Sequence, residues 1–370
     1  MRATFCEFNI KLGKSCYLPL ATGLLRAYVE QNEKIRSAYE FAPFLYCIDT
    51  PQNILRNYEQ ETDVAAFSCS VWNEQLCLAV AAEVKRSWPH CLIVFGGLQV
   101  PDNATEYLSK HSFIDVAVRR AGEQAFGAIL ERWAETHSTD FEGIPQITYR
   151  DNGVHYCARD YPFQKELNEL PSPALAGLFD GLLEQHPEPI EFCYVLEQDR
   201  GCPFACTFCE YGLGQHKMSY YGLDRVFAEI DWLGRNHVSY ALGSAANFGM
   251  YKRDREIAEY LIATKERYGY PQRFRVNYGK NTDDKVYAVG KMLADAGMSK
   301  SVTLARQSNN AMVLQNIKRS NIKMSTYEKL QERFNAEGVP TYSEFIVGLP
   351  GETYETWKQG LDEIVAAGMS

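Results

Sequence analysis

The chain has 370 residues, which gives a prior of roughly two to three domains and excludes a single small binding module. Its 46% hydrophobic and 23% charged residues allow sizeable cores and exclude a disordered or fibrous class. A formal net charge of −9 argues against nucleic acid as a partner, because a broad phosphate-binding face needs excess Lys and Arg. No run approaches the roughly 20 apolar residues of a membrane helix, and the segment MRATFCEFNIKLGKS lacks a signal-peptide core. The expectation is a cytoplasmic protein without membrane contact. The 11 cysteines in a large chain without secretory features point to metal or redox chemistry rather than a disulfide framework.

In chain order, short apolar runs alternate with amphipathic stretches, the pattern of a doubly wound parallel sheet. Strands are predicted at 2–6, 44–47, 64–68, 91–95 and 115–119, and helices at 18–30, after Pro51, at 73–88 and at 123–136. Asn73 is placed to cap the third helix. Segments 146–150 and 154–157 flank Asn152-Gly153, a pair that accepts the positive φ angles of a type I′ hairpin turn. Prolines 162, 171, 173, 187 and 189 break the periodicity and mark an interdomain connection. A second strand-helix series follows, with strands at 193–197, 240–243, 274–277, 302–305 and 342–348. Its helices are predicted at 224–236, 253–268, 283–296, 326–337 and 354–367. Five such units favour a partial (β/α) barrel, and the chain ends where a further strand would begin.

After the first strand of that series, Arg200-Gly201-Cys202-Pro203-Phe204-Ala205-Cys206-Thr207-Phe208-Cys209 sets three cysteines at CxxxCxxC spacing. A loop of this length can wrap three thiolates around one small centre. On an iron-sulfur cubane three ligands leave the fourth iron open to a substrate or cosubstrate. Zinc is the alternative, with three thiolates and His216, although structural zinc cysteines come in CxxC pairs. Cys6, Cys47, Cys69, Cys77, Cys91, Cys157 and Cys193 lie in or beside apolar runs and read as small core hydrophobes.

From about Phe192 onward the sequence resembles the radical S-adenosylmethionine (SAM) superfamily. The resemblance implies that Cys202, Cys206 and Cys209 hold a 4Fe-4S cluster whose open iron chelates the amino and carboxylate groups of SAM. Phe208 matches the aromatic that packs near the adenine. The Gly-Gly-Glu stretch that many members place after the second strand is absent, which leaves Ser244, Asn247 or backbone to bind the methionine moiety. Asn277, Gln307, Ser308 and Gly348 sit at the other strand ends expected to contact SAM, and Gly348-Leu349-Pro350-Gly351-Glu352-Thr353 resembles the family's GLPGET segment.

Upstream, three loops stand at predicted carboxyl ends of strands, where doubly wound sheets bind ligands. Ahead of a radical SAM domain they resemble the cobalamin-binding domain of that superfamily's cobalamin-dependent branch. Ser68, Trp72, Asn73, Gly96, Gly97, Gly122 and Glu123 would then line the corrin and nucleotide-tail site. At the family's DxHxxG motif this chain reads Phe8-Asn9-Ile10-Lys11-Leu12-Gly13, with Ile10 in place of the histidine. That departure fits a methyl-carrying cobalt without a strong lower ligand, and it fits a lost cobalamin site equally.

The expected architecture is therefore α/β. A Rossmann-like cobalamin-binding domain spans 1–137, a hairpin and linker 138–189, and a radical SAM partial barrel, cut before its last strand, 190–370. The resemblance implies a cobalamin-dependent methyltransferase acting on an unactivated carbon through a 5′-deoxyadenosyl radical. A rearrangement, cyclisation or oxidation, or a non-catalytic cobalamin- or cluster-binding protein, are the alternatives. Implied partners are a small-molecule or peptide substrate and an electron donor such as flavodoxin or ferredoxin. No general base is readable: His216, Glu210, Tyr211 and Tyr278 lie near the expected site, and hydrogen abstraction by a radical needs none to start.

Overall fold

A computed structural model describes residues 1–56, 58, 61–158, 165–184, 190–212, 217–279 and 284–368. The chain divides into two compact units, Met1–Pro162 with Glu169–Phe192, and Phe163–Asn168 with Cys193–Ser370. Of the connection read over residues 161–189, positions 161–164 and 185–189 lie outside the described residues.

The first unit is built on one sheet. Its order is Val154–Cys157, Ile147–Asp151, Val116–Val118, Leu92–Gly96, Val64–Ser68, Arg2–Asn9 and Glu40–Phe41, with Leu45–Cys47 also pairing Arg2–Asn9. From Val116–Val118 to Glu40–Phe41 the pairs are parallel, in registers such as Ala3↔Val64 and Val64↔Leu92. Parallel strands are covered on both faces, which is why the Val64–Ser68 and Leu92–Gly96 strands read as nearly continuous apolar runs. Their side chains and those of the Glu74–Ser87 helix close a core that includes Phe8, Phe67, Ile93, Phe95, Val80 and Val84. The Ile147–Asp151 strand returns antiparallel and forms the expected hairpin with Val154–Cys157, Asn152 and Gly153 both adopting positive φ (47° and 81°). The chain runs from Arg2–Asn9 to one side of the sheet and then crosses to Val64–Ser68 on the other. Doubly wound sheets bind ligands at the carboxyl ends of strands where such a reversal occurs.

The second unit departs from a single five-strand series. Glu191–Leu196, Tyr240–Gly243 and Arg273–Arg275 are parallel neighbours, whereas Val302–Thr303 and Thr341–Tyr342 form a separate parallel pair. The last two strands are two residues each; beyond them the pairing continues irregularly, Leu304 N–H donating to the Tyr342 carbonyl at 2.8 Å and Gln307 N–H to the Glu344 carbonyl at 2.7 Å, with Gln307 at a left-handed φ of 67° in an isolated bridge to Phe345. Outside the strands, helices Leu223–Arg235 and Lys252–Tyr268 pack through Phe227 stacked on Tyr260, ring centroids 4.2 Å apart. No helix among the described residues is long and apolar enough to cross a membrane.

Candidate functional site

The cysteine loop is held by a device the spacing did not reveal. Asp199–Arg200 and Ser219–Tyr220 pair antiparallel on either side of it, so the loop is cinched at its base. Gly201 makes this possible: its φ is +98°, and a Cβ there would fall on the carbonyl oxygen of Lys217. Beyond the neck, Arg200 forks onto Glu197 at 2.9 and 3.1 Å, and Tyr221 donates to the same carboxylate at 2.9 Å. Cys202 and Cys206 are buried, and Cys209 is half-buried with its N–H donating to the Cys206 carbonyl at 3.1 Å.

Among the described residues, no three His, Cys, Asp or Glu side chains converge on one ion position. His216, the fourth zinc ligand in the alternative reading, lies outside the described residues.

Polar groups without partners gather beside this loop. Gln198 is fully buried and neither its Nε2 nor its Oε1 has a hydrogen bond, while the buried Asn247 donates Nδ2 to the Cys202 sulfur at 3.3 Å and leaves Oδ1 unsatisfied. Each such atom costs about 1–3 kcal/mol of desolvation, and a ligand bearing an ammonium and a carboxylate would satisfy them. Asp199, buried and facing Asp254, has its pKa pushed up to about 7 by desolvation first and by that neighbouring carboxylate second.

The other residues expected at SAM are placed differently. Phe208 is 37% exposed. Ser244 is half-buried with its hydroxyl 3.5 Å from the Asp199 carbonyl, and its own carbonyl accepts from Tyr211 at 3.4 Å. Asn277 is exposed; its carbonyl accepts from the Phe248 N–H. Gln307 is buried in its left-handed conformation, a sparsely populated state for a side-chain-bearing residue that clusters at functional sites. Gly348 is exposed with nothing around it. Ser308 is committed elsewhere: its hydroxyl donates to Glu352 at 2.6 Å, and the helix Ala311–Asn316 is capped instead by Asn310. Glu352 also accepts from Thr356, so the GLPGET segment is braced against the loop after Val302–Thr303. Glu210 is exposed and Tyr278 buried.

Residues that sequence reasoning missed include Arg319 and Asn321. Arg319 is 6% exposed, has the Cys206 thiol as its first charge neighbour, and donates to Asn321 Oδ1 at 2.8 Å and the Ala305 carbonyl at 2.6 Å. No local signal marks them, because the contact spans more than a hundred positions of chain.

In the first unit, the loops after Val64–Ser68 and Leu92–Gly96 carry Val71, Leu98 and Trp72, which are 77%, 69% and 50% exposed. These apolar side chains form a rim at the carboxyl ends of adjacent strands, and exposed apolar rims mark ligand surfaces. Asn73 does not cap its helix. It is buried, donates Nδ2 to the Phe8 and Ser68 carbonyls at 3.2 and 3.1 Å, and accepts from the Ser70 N–H at 2.7 Å. Its side chain thus ties two strand ends together and has nothing left to offer a ligand. Glu123 is likewise buried, in the first turn of the Glu123–Thr136 helix, behind Gly122. Gly97, at φ +101°, lies against the Cys69 backbone, while Gly96 has open space down to 3.7 Å. Ile10 is 41% exposed at the position where an imidazole would stand.

This geometry agrees with what the chain is similar to. Residues 199–364 match the family model described as Radical SAM superfamily. That segment is a radical SAM domain, and over nearly its whole length the chain is similar to methyltransferases, one of them named as a cobalamin-dependent radical SAM enzyme. It is 35% identical over 98% of its length to the cobalamin-dependent radical SAM methyltransferase TokK of Streptomyces tokunonensis, of which it covers 53%. It is 34% identical, again over 98% of its length and 53% of the relative, to the 2-(S-pantetheinyl)-carbapenam-3-carboxylate methyltransferase of Streptantibioticus cattleyicolor. The chain therefore spans about half the length of these curated relatives. In fold it resembles the radical SAM methyltransferase TsrM of Kitasatospora setae, whose structure with tryptophan substrate and a SAM analogue superposes at a TM-score of 0.75, with 16% identity, over all of this chain and 71% of TsrM.

Proposed function

We propose that this chain carries the cobalamin- and SAM-binding parts of an enzyme that methylates an unactivated carbon of a small molecule. The observation that carries the reading is the cinched CxxxCxxC loop with unsatisfied Gln198 and Asn247 atoms beside it. Cys202, Cys206 and Cys209 would hold three irons of a 4Fe-4S cluster, and Gln198, Asn247 Oδ1 and the Gln307 turn would receive the polar groups of SAM. The rim of Val71, Trp72 and Leu98, with Ser68 and Gly96 behind it, fits the flat apolar face of a corrin in a Rossmann-like domain. When bound, the three cofactors supply one-electron cleavage of SAM and a transferable methyl group. The chain's own residues bind and orient them and keep water from a reactive radical. The electron comes from a small reductant of the flavodoxin or ferredoxin kind.

The test is anaerobic reconstitution with iron, sulfide and cobalamin, followed by metal and corrin quantitation and a product assay under reduction. The expected result is about one cubane and one cobalamin per chain, with 5′-deoxyadenosine and S-adenosylhomocysteine formed from SAM. The carbapenam thioether named for the Streptantibioticus relative is the first substrate to supply. 5′-Deoxyadenosine without S-adenosylhomocysteine would turn the reading to rearrangement, cyclisation or oxidation; a cluster without bound corrin would exclude methyl transfer by this route.

A further inference from the structure

Two of the three cysteines have a polar side chain against them, and the two differ in charge. Asn247 donates its neutral amide to the Cys202 sulfur at 3.3 Å, and the buried Arg319 guanidinium has Cys206 as its first charge neighbour. Arg319 is held from several directions. Its backbone N–H donates to the Leu314 carbonyl at 2.9 Å, the neighbouring Ile317 carbonyl accepts from the Thr207 N–H at 3.1 Å, and Asn321 is itself fixed to the Arg306 and Ser308 carbonyls at 2.9 and 2.8 Å. The guanidinium's hydrogen bonds go to neutral oxygens, those of Asn321 and Ala305. Its charge neighbours are Cys206 and Cys209 first and Glu344 after them, and a buried cation needs such partners, so the centre held by the cysteines is its main counter-charge.

We infer that Arg319, seconded by Asn247, sets the reduction potential of the cluster held by Cys202, Cys206 and Cys209. The inference rests on the cluster assigned under the proposed function. A cubane with three thiolates is anionic, and reduction adds one electron from an external low-potential donor without making or breaking a bond. A fixed cation and an N–H···S hydrogen bond, that of Asn247 to Cys202, stabilise the more negative state, which raises the potential. Arg319 is on this reading a positioning residue: it touches a cluster ligand and not the substrate.

The experiment is an EPR-monitored redox titration of the reconstituted full chain, without SAM, for wild type, Arg319→Met, Arg319→Lys and Asn247→Leu. At a fixed applied potential the reduced-to-oxidised ratio should fall tenfold or more in Arg319→Met, which is about 59 mV for a one-electron couple. Asn247→Leu should lower it less, and Arg319→Lys should fall between Arg319→Met and wild type. A second measurement needs no variant: wild-type protein grown with ¹⁵N-arginine should show weak nitrogen hyperfine coupling to the reduced cluster. If Arg319→Met fails to assemble a cluster, the labelled wild type and Arg319→Lys decide. Unchanged potentials at equal iron content, or no arginine nitrogen coupling, overturn the inference; failure of wild type to form any cubane overturns the functional reading beneath it.

Discussion

Replacing Gly97 by alanine separates the structural role of the paired glycines from a ligand role. The new Cβ would meet the Cys69 carbonyl oxygen and lie 2.8 Å from the Cys69 nitrogen, on a backbone at φ +101°. A positive φ costs an L-residue roughly 1–2 kcal/mol, and forcing a methyl into closed packing adds about 1–3 kcal/mol. The sum, about 3 kcal/mol, falls on a small set of bonds: Cys69 N–H to Gly96 O at 2.7 Å and Gln99 N–H to Cys69 O at 3.2 Å. Since 1.4 kcal/mol is tenfold in an opening equilibrium, amide hydrogen exchange in peptides spanning 64–73 and 92–100 should quicken by about a hundredfold. Gly96→Ala is the control. Its Cβ would meet nothing nearer than the Val118 carbonyl at 3.7 Å, so exchange should stay within a factor of about two, as for a neutral surface change. If a corrin lies over this strand end, the same control should still bind cobalamin more weakly. Gly97→Ala protein that exchanges and melts like wild type would refute the crowding argument.

Gln198→Met keeps the side chain's length and removes two buried unsatisfied atoms. The apo protein should gain about 1–3 kcal/mol in denaturant unfolding, while SAM affinity of the cluster-loaded protein drops tenfold or more by equilibrium dialysis; a destabilised variant would mean the amide has a partner. Glu7 is buried and accepts from the Thr22 N–H and hydroxyl at 2.8 and 3.0 Å, yet desolvation outweighs these bonds and pushes its pKa up to about 7 from an ordinary 4.5. With the folded pKa raised, the proton-linked stability is complete below about pH 4.5 and is lost as pH rises through about 7. Glu7→Gln lacks that titration, so its stability relative to wild type should rise by up to about 3 kcal/mol between pH 5 and pH 8, read from urea unfolding; a pH-independent difference would count against the buried carboxyl.

The parts legible in the sequence are those fixed by local pattern. Val64–Ser68, Tyr240–Gly243 and the Glu123–Thr136 helix read at their true bounds, because a strand buried on both faces must be apolar throughout and a helix face repeats every three to four residues. The Asn152-Gly153 turn was legible because few other pairs accept two positive φ angles. What escaped depends on partners distant in the chain. Asn73 looks like a cap and acts as a clamp, since the Phe8 carbonyl that competes for its amide belongs to the first strand. Ser308 looks like a ligand contact and is taken by Glu352, 44 positions away. The two-residue strands Val302–Thr303 and Thr341–Tyr342 were read too long because regular pairing gives way to the irregular hydrogen bonds around the left-handed Gln307, which an apolar run does not reveal.

That bend and the orphaned amides beside the cysteine loop belong to one energetic pattern. A left-handed Gln307 costs roughly 1–3 kcal/mol, and each unsatisfied buried atom of Gln198 and Asn247 a similar amount. Spread over a sheet, such losses would be eliminated by ordinary selection for stability. Gln198 and Asn247 instead sit beside a loop pinned by a neck where a Cβ at 201 would fall on the Lys217 carbonyl, and Gln307 stands past the end of a further strand. A ligand that satisfies them binds the folded state alone, and its binding free energy returns the stability the apo site gives up. The rigidity of the neck matters for the same reason: a loop free to relax would turn its own peptide groups toward Gln198 and Asn247 and cancel the vacancy that selects the ligand. Amides left unpaired beside a pinned loop thus favour a ligand whose polar groups pair with them.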